Sequence, residues 1–198
     1  MTDGHRPAEF DFPLSWSGPD GIGASPFDEF AASEAPDVAP EQGDDPAVAL
    51  RKTLGQFATG VTVITTRKGE QVHGMTANAF MSVSLEPPLV LISVDRRTKM
   101  CSFLHEGSHY GVSVLCATQS ALSDRFAGRP CEDCPPPGFE IVRNTPLVGG
   151  ALAHFVARVE RSYWGGDHSL FLGRVEYARK NPGTPLLFHG GRYERLGA

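Results

Sequence analysis

Two long runs of strand character, Leu152 to Trp164 and Ser169 to Ala178, are separated by nothing more than the corner Gly165-Gly166-Asp167-His168. Strands of that length joined by so tight a turn are antiparallel neighbours, and they commit the second half of the chain to β-structure. The rest follows the same habit. Val61-Thr62-Val63-Ile64-Thr65-Thr66, the turn Lys68-Gly69-Glu70 and the run Val72 to Ala77 read as a β-hairpin rich in β-branched residues. Pro88-Leu89-Val90-Leu91-Ile92-Ser93-Val94 is nearly continuous apolar sequence, the pattern of a strand buried on both faces. His109 to Leu115 alternates as another strand, and Phe188 to Arg195 gives a last short one broken by Gly190 and Gly191.

Helices sit only at the margins. Asp44 or Asp45 caps a helix through Ala47, Leu50, Leu54 and Phe57, whose spacing of three and four aligns the apolar residues on one face, with Gly60 following its end. Thr98 to His105 reads as a short helix with Met100, Cys101 and Leu104 inward and Gly107 beyond it, and Ser120 to Phe126 as a second that runs into a proline-rich loop. Six or so strands joined by short turns, with marginal helices, point to a closed antiparallel barrel.

Charge divides the chain of 198 residues into an arm and a body. Residues 1–47 hold eleven acids against Arg6 alone, a net −10, whereas the remainder holds seventeen bases against twelve acids, a net +5. The arm also has seven of the sixteen prolines and no sustained period, a composition that cannot bury enough to order itself, although Phe10, Phe12, Leu14, Trp16, Phe27 and Phe30 could dock on the body or a partner. Its first residues lack the basic and apolar regions of a signal peptide, and no run approaches the ~18 apolar residues of a membrane helix, so a cytoplasmic protein is expected.

Cys101, Cys116, Cys131 and Cys134 are too few for a disulfide framework in a body of this size. Cys131-Glu132-Asp133-Cys134 is a single CxxC among Pro130, Pro135, Pro136 and Pro137. That setting forbids the helix a thioredoxin-like motif needs, which leaves a structural or incidental role ahead of metal or redox duty. No Rossmann fingerprint, Walker-type phosphate loop or fixed-spacing acid pair is present, so a dehydrogenase with its own dinucleotide domain is excluded.

Between Gly74 and Thr98 small hydroxyl and amide side chains alternate with apolar strand residues, a Pro pair interrupts, and Asp95-Arg96-Arg97-Thr98 closes the stretch. Such a pattern suits a planar ligand that makes many hydrogen bonds and carries a phosphate. Thr76, Ala77 and Asn78 can offer backbone groups, a hydroxyl and an amide, or can merely close a turn. Ser82 and Ser84 fall on one face of an extended segment, as do Ser93 and Asp95 on the next strand. Arg96, Arg97 and Lys99, around the start of the Thr98 helix, make a natural anion site or a plain solvated basic turn.

Together with Gly166-Asp167-His168-Ser169-Leu170-Phe171-Leu172-Gly173, these motifs resemble the flavin reductase-like family, the short-chain NAD(P)H:flavin reductases that serve two-component monooxygenases. The resemblance runs from about Leu50 to Leu196. It implies a mainly β fold, a split β-barrel of the FMN-binding, Greek-key kind with about six antiparallel strands and short flanking helices, formed by residues 48–198. It further implies a homodimer with flavin in the groove between subunits, FMN or FAD as the flavin, NADH or NADPH as hydride donor, and a separate flavin-dependent oxygenase as partner.

Carried onto this sequence, the family's flavin contacts fall on Thr76, Ala77, Asn78, Ser82, Val83, Ser84, Ser93, Asp95, Arg97 and Lys99. Ser123-Asp124-Arg125-Phe126-Ala127 resembles the segment that lays an aromatic residue and backbone beside the flavin, so Phe126 and Ala127 join them, though Phe126 is equally a core anchor. Tyr193 and Arg195, in Arg192-Tyr193-Glu194-Arg195-Leu196, resemble the terminal aromatic-basic segment of the nicotinamide and flavin pocket, with a strand edge as the bland reading. His168 matches the histidine that meets the nicotinamide and is the expected catalytic residue. No nucleic acid, membrane or metal is implied. A split-barrel flavoprotein whose tightly held FMN acts on another substrate, and a non-catalytic flavin carrier or sensor, are the competing classes.

Overall fold

The computed structural model describes residues 45–129 and 136–196, so residues 1–44 of the acidic arm and the Cys131/Cys134 pair lie outside the described residues. Helix α1 (Pro46–Leu54) starts where expected: the Asp45 carboxylate accepts from the Ala47 N–H at 2.8 Å, and Pro46 fills the first turn, where its missing donor costs nothing. Twelve strands follow: β1 (Thr59–Gly60), β2 (Thr62–Lys68), β3 (Gln71–Ala77), β4 (Phe80–Leu85), β5 (Pro88–Asp95), β6 (His109–Val114), β7 (Phe139–Val142), β8 (Thr145–Val148), β9 (Ala153–Gly165), β10 (His168–Lys180), β11 (Leu186–His189) and β12 (Arg192–Arg195). Helices α2 (Lys99–Phe103) and α3 (Ser120–Phe126) flank them.

Seven strands make the main antiparallel sheet in the order β3-β2-β6-β9-β10-β5-β4. The expected closure does not occur: the two ends of the sheet, β3 and β4, are not hydrogen-bonded to each other, although only Asn78 and Ala79 separate them in the chain. The barrel is therefore split. A smaller sheet, β1-β11-β12, lies beside it.

Ile64, Val90, Ile92, Val94, Tyr110, Val112, Ala157, Val159 and Phe171 form the main core, with Met100 and Leu104 beneath α2 as the periodicity predicted. A second cluster, Val61, Val63, Leu115, Val148 and Leu186, packs with Phe126, Phe139, Phe188 and Tyr193. β5 buries Val90, Ile92 and Val94 completely, while Leu91, Ser93 and Asp95 on its other face are only half-buried. On that second face Leu91 and Ser93 line a groove.

Candidate flavin and nicotinamide site

The turn from β3 to β4 organises the site. Thr76 Oγ1 donates to the Ser123 carbonyl at 2.6 Å, which ties the end of β3 to α3, and Thr62 Oγ1 donates to the Ala77 carbonyl at 2.6 Å. Phe80 N–H donates to the Asn78 carbonyl and Ser93 N–H to that of Ala79, so the backbone around Asn78 is fixed from both sides. The Asn78 side-chain amide, by contrast, has no partner among the described residues. Two grooves share it.

The smaller groove, about 150 Å³, is mixed: Thr76, Asn78, Ser123, Arg129 and Tyr193 supply its polar groups, and Val61 and Phe188 apolar walls. The Tyr193 hydroxyl donates to Asp124 Oδ1 at 2.9 Å and lies 2.8 Å from Ser123 Oγ, while Arg129 Nη1 holds the same carboxylate at 3.0 Å. Burial raises the Tyr193 phenol above its ordinary value, so it remains a neutral donor at physiological pH. The larger groove, about 830 Å³, is walled by apolar side chains including Leu54, Phe57, Phe80, Met81 and Leu91, with Thr59, Thr62, Asn78 and Ser93 as its polar residues. Thr59 Oγ1 is itself buried without a hydrogen-bond partner among the described residues, a costly state for a hydroxyl.

This donor set fits an isoalloxazine: an apolar bed for the dimethylbenzene end, and an open amide with hydroxyls for the polar pyrimidine edge. The α1 stripe is what sequence reading extended too far. Its apolar residues share one face as the spacing predicts, but the helix ends at Leu54, short of Phe57, and only Ala49 is buried in α1; Leu54 is 66% exposed and Phe57, beyond the helix end, 78%. Leu54 and Phe57 line the groove.

At the far end of β5 the strand register sets His168 directly opposite Asp95 and Leu170 opposite Ser93. Ser93 is thus two residues, ~7 Å, down the same strand face from Asp95. His168 Nδ1 lies 2.7 Å from Asp167 Oδ1, which assigns the Nδ1 proton to that bond and leaves Nε2 to meet a ligand. The same bond from His168 holds the Asp167 carboxyl below its usual range.

Arg97 grips both Asp95 oxygens, with Nη2 at 2.6 Å and Nε at 3.1 and 3.2 Å, and its backbone N–H also reaches Asp95 Oδ1 at 2.8 Å. Asp95 therefore aims Arg97, which is 84% exposed beyond it. Arg96 takes a different post: its guanidinium lies 4.1 Å from the Trp164 ring centroid and its backbone N–H donates to the Asp167 carbonyl, clamping the Gly166-Asp167-His168 corner. Lys99 opens α2, a helix of only five residues, behind the Thr98 cap.

Four further residues, Ser82, Ser84, Phe126 and Arg195, are placed differently from their simplest reading. A register shift between Ser82 and Ser84 puts a bulge at Val83, so the two serines do not alternate simply onto one face, and Ser84 Oγ accepts from the Glu86 N–H at 3.2 Å. The Phe126 ring packs against Gly74 and Phe139, inside the second core cluster, which favours its reading as the anchor of α3. Arg195 lies at the end of β12 opposite Leu186 and lines neither groove, whereas the neighbouring Ala127 lines the small one. Sequence reading missed Thr59, Leu54 and Phe57 as groove residues; it aligned Leu54 and Phe57 on one helix face without showing what that face meets.

The flavin reductase like domain matches residues 54–197, which span all the grooves described. The chain belongs to the flavin reductase like domain family. An NADH-dependent flavin reductase from a Rhodococcus species is 47% identical to this flavin reductase-like chain over 152 residues, covering 74% of it and 85% of the relative. The reductase component of 4-hydroxyphenylacetate 3-monooxygenase from Thermus thermophilus is 42% identical over 149 residues, with 75% and 95% covered. Among solved structures, the flavin reductase PheA2 in its native state superposes with a TM-score of 0.74 at 42% identity, over 78% of this chain and 100% of that one. The split-barrel fold and the reductase family thus stand together. No helix among the described residues is long and apolar enough to cross a membrane.

Proposed function

We propose that this chain is an NADH-dependent flavin reductase that passes hydride to N5 of FMN or FAD and supplies the reduced flavin to a separate monooxygenase. The observation that carries the reading is the Asn78 amide, without a partner among the described residues, where an apolar groove meets a smaller one of mixed lining, in a family whose similar members bear such names: an NADH-dependent FAD reductase from Streptomyces globisporus and an FMN reductase (NADH) from Agrobacterium fabrum. The flavin supplies the hydride-accepting chemistry when bound. The chain's own residues position.

In this reading Asn78, Thr76 and Ser93 hold the ring and ribityl chain, Ser82, Val83 and Ser84 border them, and Arg97 with Lys99 meets the phosphate. His168, its Nδ1 tied to Asp167, offers Nε2 to the nicotinamide carboxamide and keeps that face of the groove dry. No protein nucleophile or strong acid is needed, because hydride transfer between stacked rings requires alignment and exclusion of water. An open groove is consistent with a flavin that leaves as product.

The working unit is a homodimer. Leu54, Phe57, Met81 and Leu85, the last 93% exposed, leave too much apolar surface around the larger groove for a chain that works alone. A second copy would cover the groove and turn it into a flavin slot. Residues 48–198 suffice for flavin and nicotinamide, and the acidic arm of residues 1–47 serves the partner oxygenase. NADH oxidation measured with FMN and FAD, with and without the oxygenase, tests the assignment; oxidation that needs no added flavin would point to the tightly bound flavoenzyme instead.

A further inference from the structure

A second cleft opens at the opposite end of β2 from Asn78. The flavin-side end of β2 is Thr62 and the cleft begins at Thr66, four residues and ~13 Å along the strand. It encloses about 520 Å³ between the β2–β3 turn, the loop after α2 and the β7–β8 turn, and none of its lining residues is an aspartate or glutamate. Three cations line it: Arg67, Lys68 and Arg143.

Their engagement differs. Arg67 is consumed internally, with Nη2 on Glu70 at 2.8 Å, Nε on the Gly69 carbonyl at 2.7 Å and Nη1 on Asn144 Oδ1 at 3.2 Å. That last bond orients the Asn144 amide so that its NH2 group remains to donate elsewhere. Lys68 Nζ rests 5.2 Å from the Phe103 ring centroid and has no carboxylate partner among the described residues. Arg143 has none either, and its backbone stands at φ 50, beside Asn144 at φ 60. A two-residue turn with both φ values positive favours Asn, Asp or Gly; an arginine there is retained at a conformational cost. Its exposed guanidinium is what that position gains.

We propose that this cleft is a binding site for a compact phosphate-bearing anion, distinct from the flavin site. Lys68 and Arg143 supply uncompensated charge, and the oriented Asn144 NH2 supplies a neutral donor. The ligand is compact because Phe103, the one Phe, Tyr or Trp ring on the cleft among the described residues, is already engaged, by Lys68 on one side and by His73 edge-on at a centroid distance of 5.2 Å, and does not offer a nucleobase a free face. A small organic phosphate or pyrophosphate fits both the charge and the volume.

Calorimetric titration of the full chain with inorganic pyrophosphate at low salt tests this. One saturable site is expected, weakened at least tenfold by Lys68→Met or by Arg143→Gly. The glycine variant removes the charge while relieving the positive φ, so it should melt higher by roughly 2 °C, which separates lost binding from lost folding. Binding should persist in Arg97→Ala, where the proposed flavin-phosphate contact is gone, and calorimetry needs no turnover, so the result stands apart from the reductase assignment. Absence of saturable binding, binding indifferent to both cleft variants, or binding abolished by Arg97→Ala would each overturn the site.

Discussion

Gly74 has a Phe126 ring where any side chain would have to go. A Cβ built on it would meet Phe126 Cε1 at 2.5 Å and Cδ1 at 2.7 Å, about 1 Å inside ordinary carbon contact. Gly74→Ala therefore forces either the ring or β3 to move. Overpacking of this kind costs about 1–3 kcal/mol, and at about 2–4 °C per kcal/mol for a domain of this size the melting temperature should fall by roughly 2–12 °C. The displacement also reaches the site, because Phe126 ends α3, and α3 carries the Ser123 carbonyl that accepts from Thr76 and the Asp124 carboxylate that accepts from Tyr193. A shift near 1 Å there should weaken flavin binding on the order of tenfold. Differential scanning calorimetry and fluorescence quenching of FMN at fixed protein concentration read both effects. Phe126→Leu added to Gly74→Ala should recover part of each, since the two positions share one contact. A Gly74→Ala protein with unchanged melting temperature and unchanged flavin affinity would refute the coupling of α3 to the flavin groove.

Other consequences are as definite. Arg97→Ala should weaken FMN on the order of 10–100-fold, the value of one charged hydrogen-bonding group, and leave riboflavin binding nearly unchanged, as a fluorescence titration of both would reveal. His168→Ala should lower kcat/KM for NADH about tenfold or more with flavin affinity intact; Asp167→Asn should do so less, through the ring it holds. Phe57→Asp combined with Leu85→Asp should yield a monomer in sedimentation velocity and a loss of flavin-dependent turnover. The Arg97 side chain, then its N–H, holds the Asp95 carboxyl well below the usual carboxylate range. A carboxyl depressed on folding contributes above its ordinary value and loses that contribution only as pH falls through the depressed value. In a carboxyl NMR titration Asp95 should thus remain ionised through about pH 4, where free carboxylates protonate.

Local signals made much of this fold readable. The β2–β3 hairpin, the β9–β10 pair and α3 announce themselves through β-branched runs, turn glycines and a helical apolar spacing, and each forms close to the span its pattern predicts. The β7–β8 hairpin does not: its turn is Arg143-Asn144, and only the positive φ values reveal a conformation that a glycine would have advertised. The final strand was read as one piece because Gly190 and Gly191 looked like an interruption; both have positive φ, and they make the turn between β11 and β12. At the site, the motifs named Thr76, Asn78, Ser93, Arg97 and His168 as candidates. Residue type alone gave no reason to prefer Arg97 to Arg96; the resemblance chose Arg97, and the difference in their posts is tertiary: one lies over Trp164 and the other grips Asp95. Nor could periodicity tell a stripe that faces the core from the exposed Leu54 and Phe57 surface that lines a groove, since both place apolar residues on one helix face.

The most direct test of the central assignment is steady-state NADH oxidation by the purified chain as FMN or FAD is titrated, followed at 340 nm as a ~order-of-magnitude rate comparison with and without flavin. The account predicts turnover that saturates with free flavin and falls with His168→Ala. NADH oxidation independent of added flavin, or none at any flavin concentration, would contradict it.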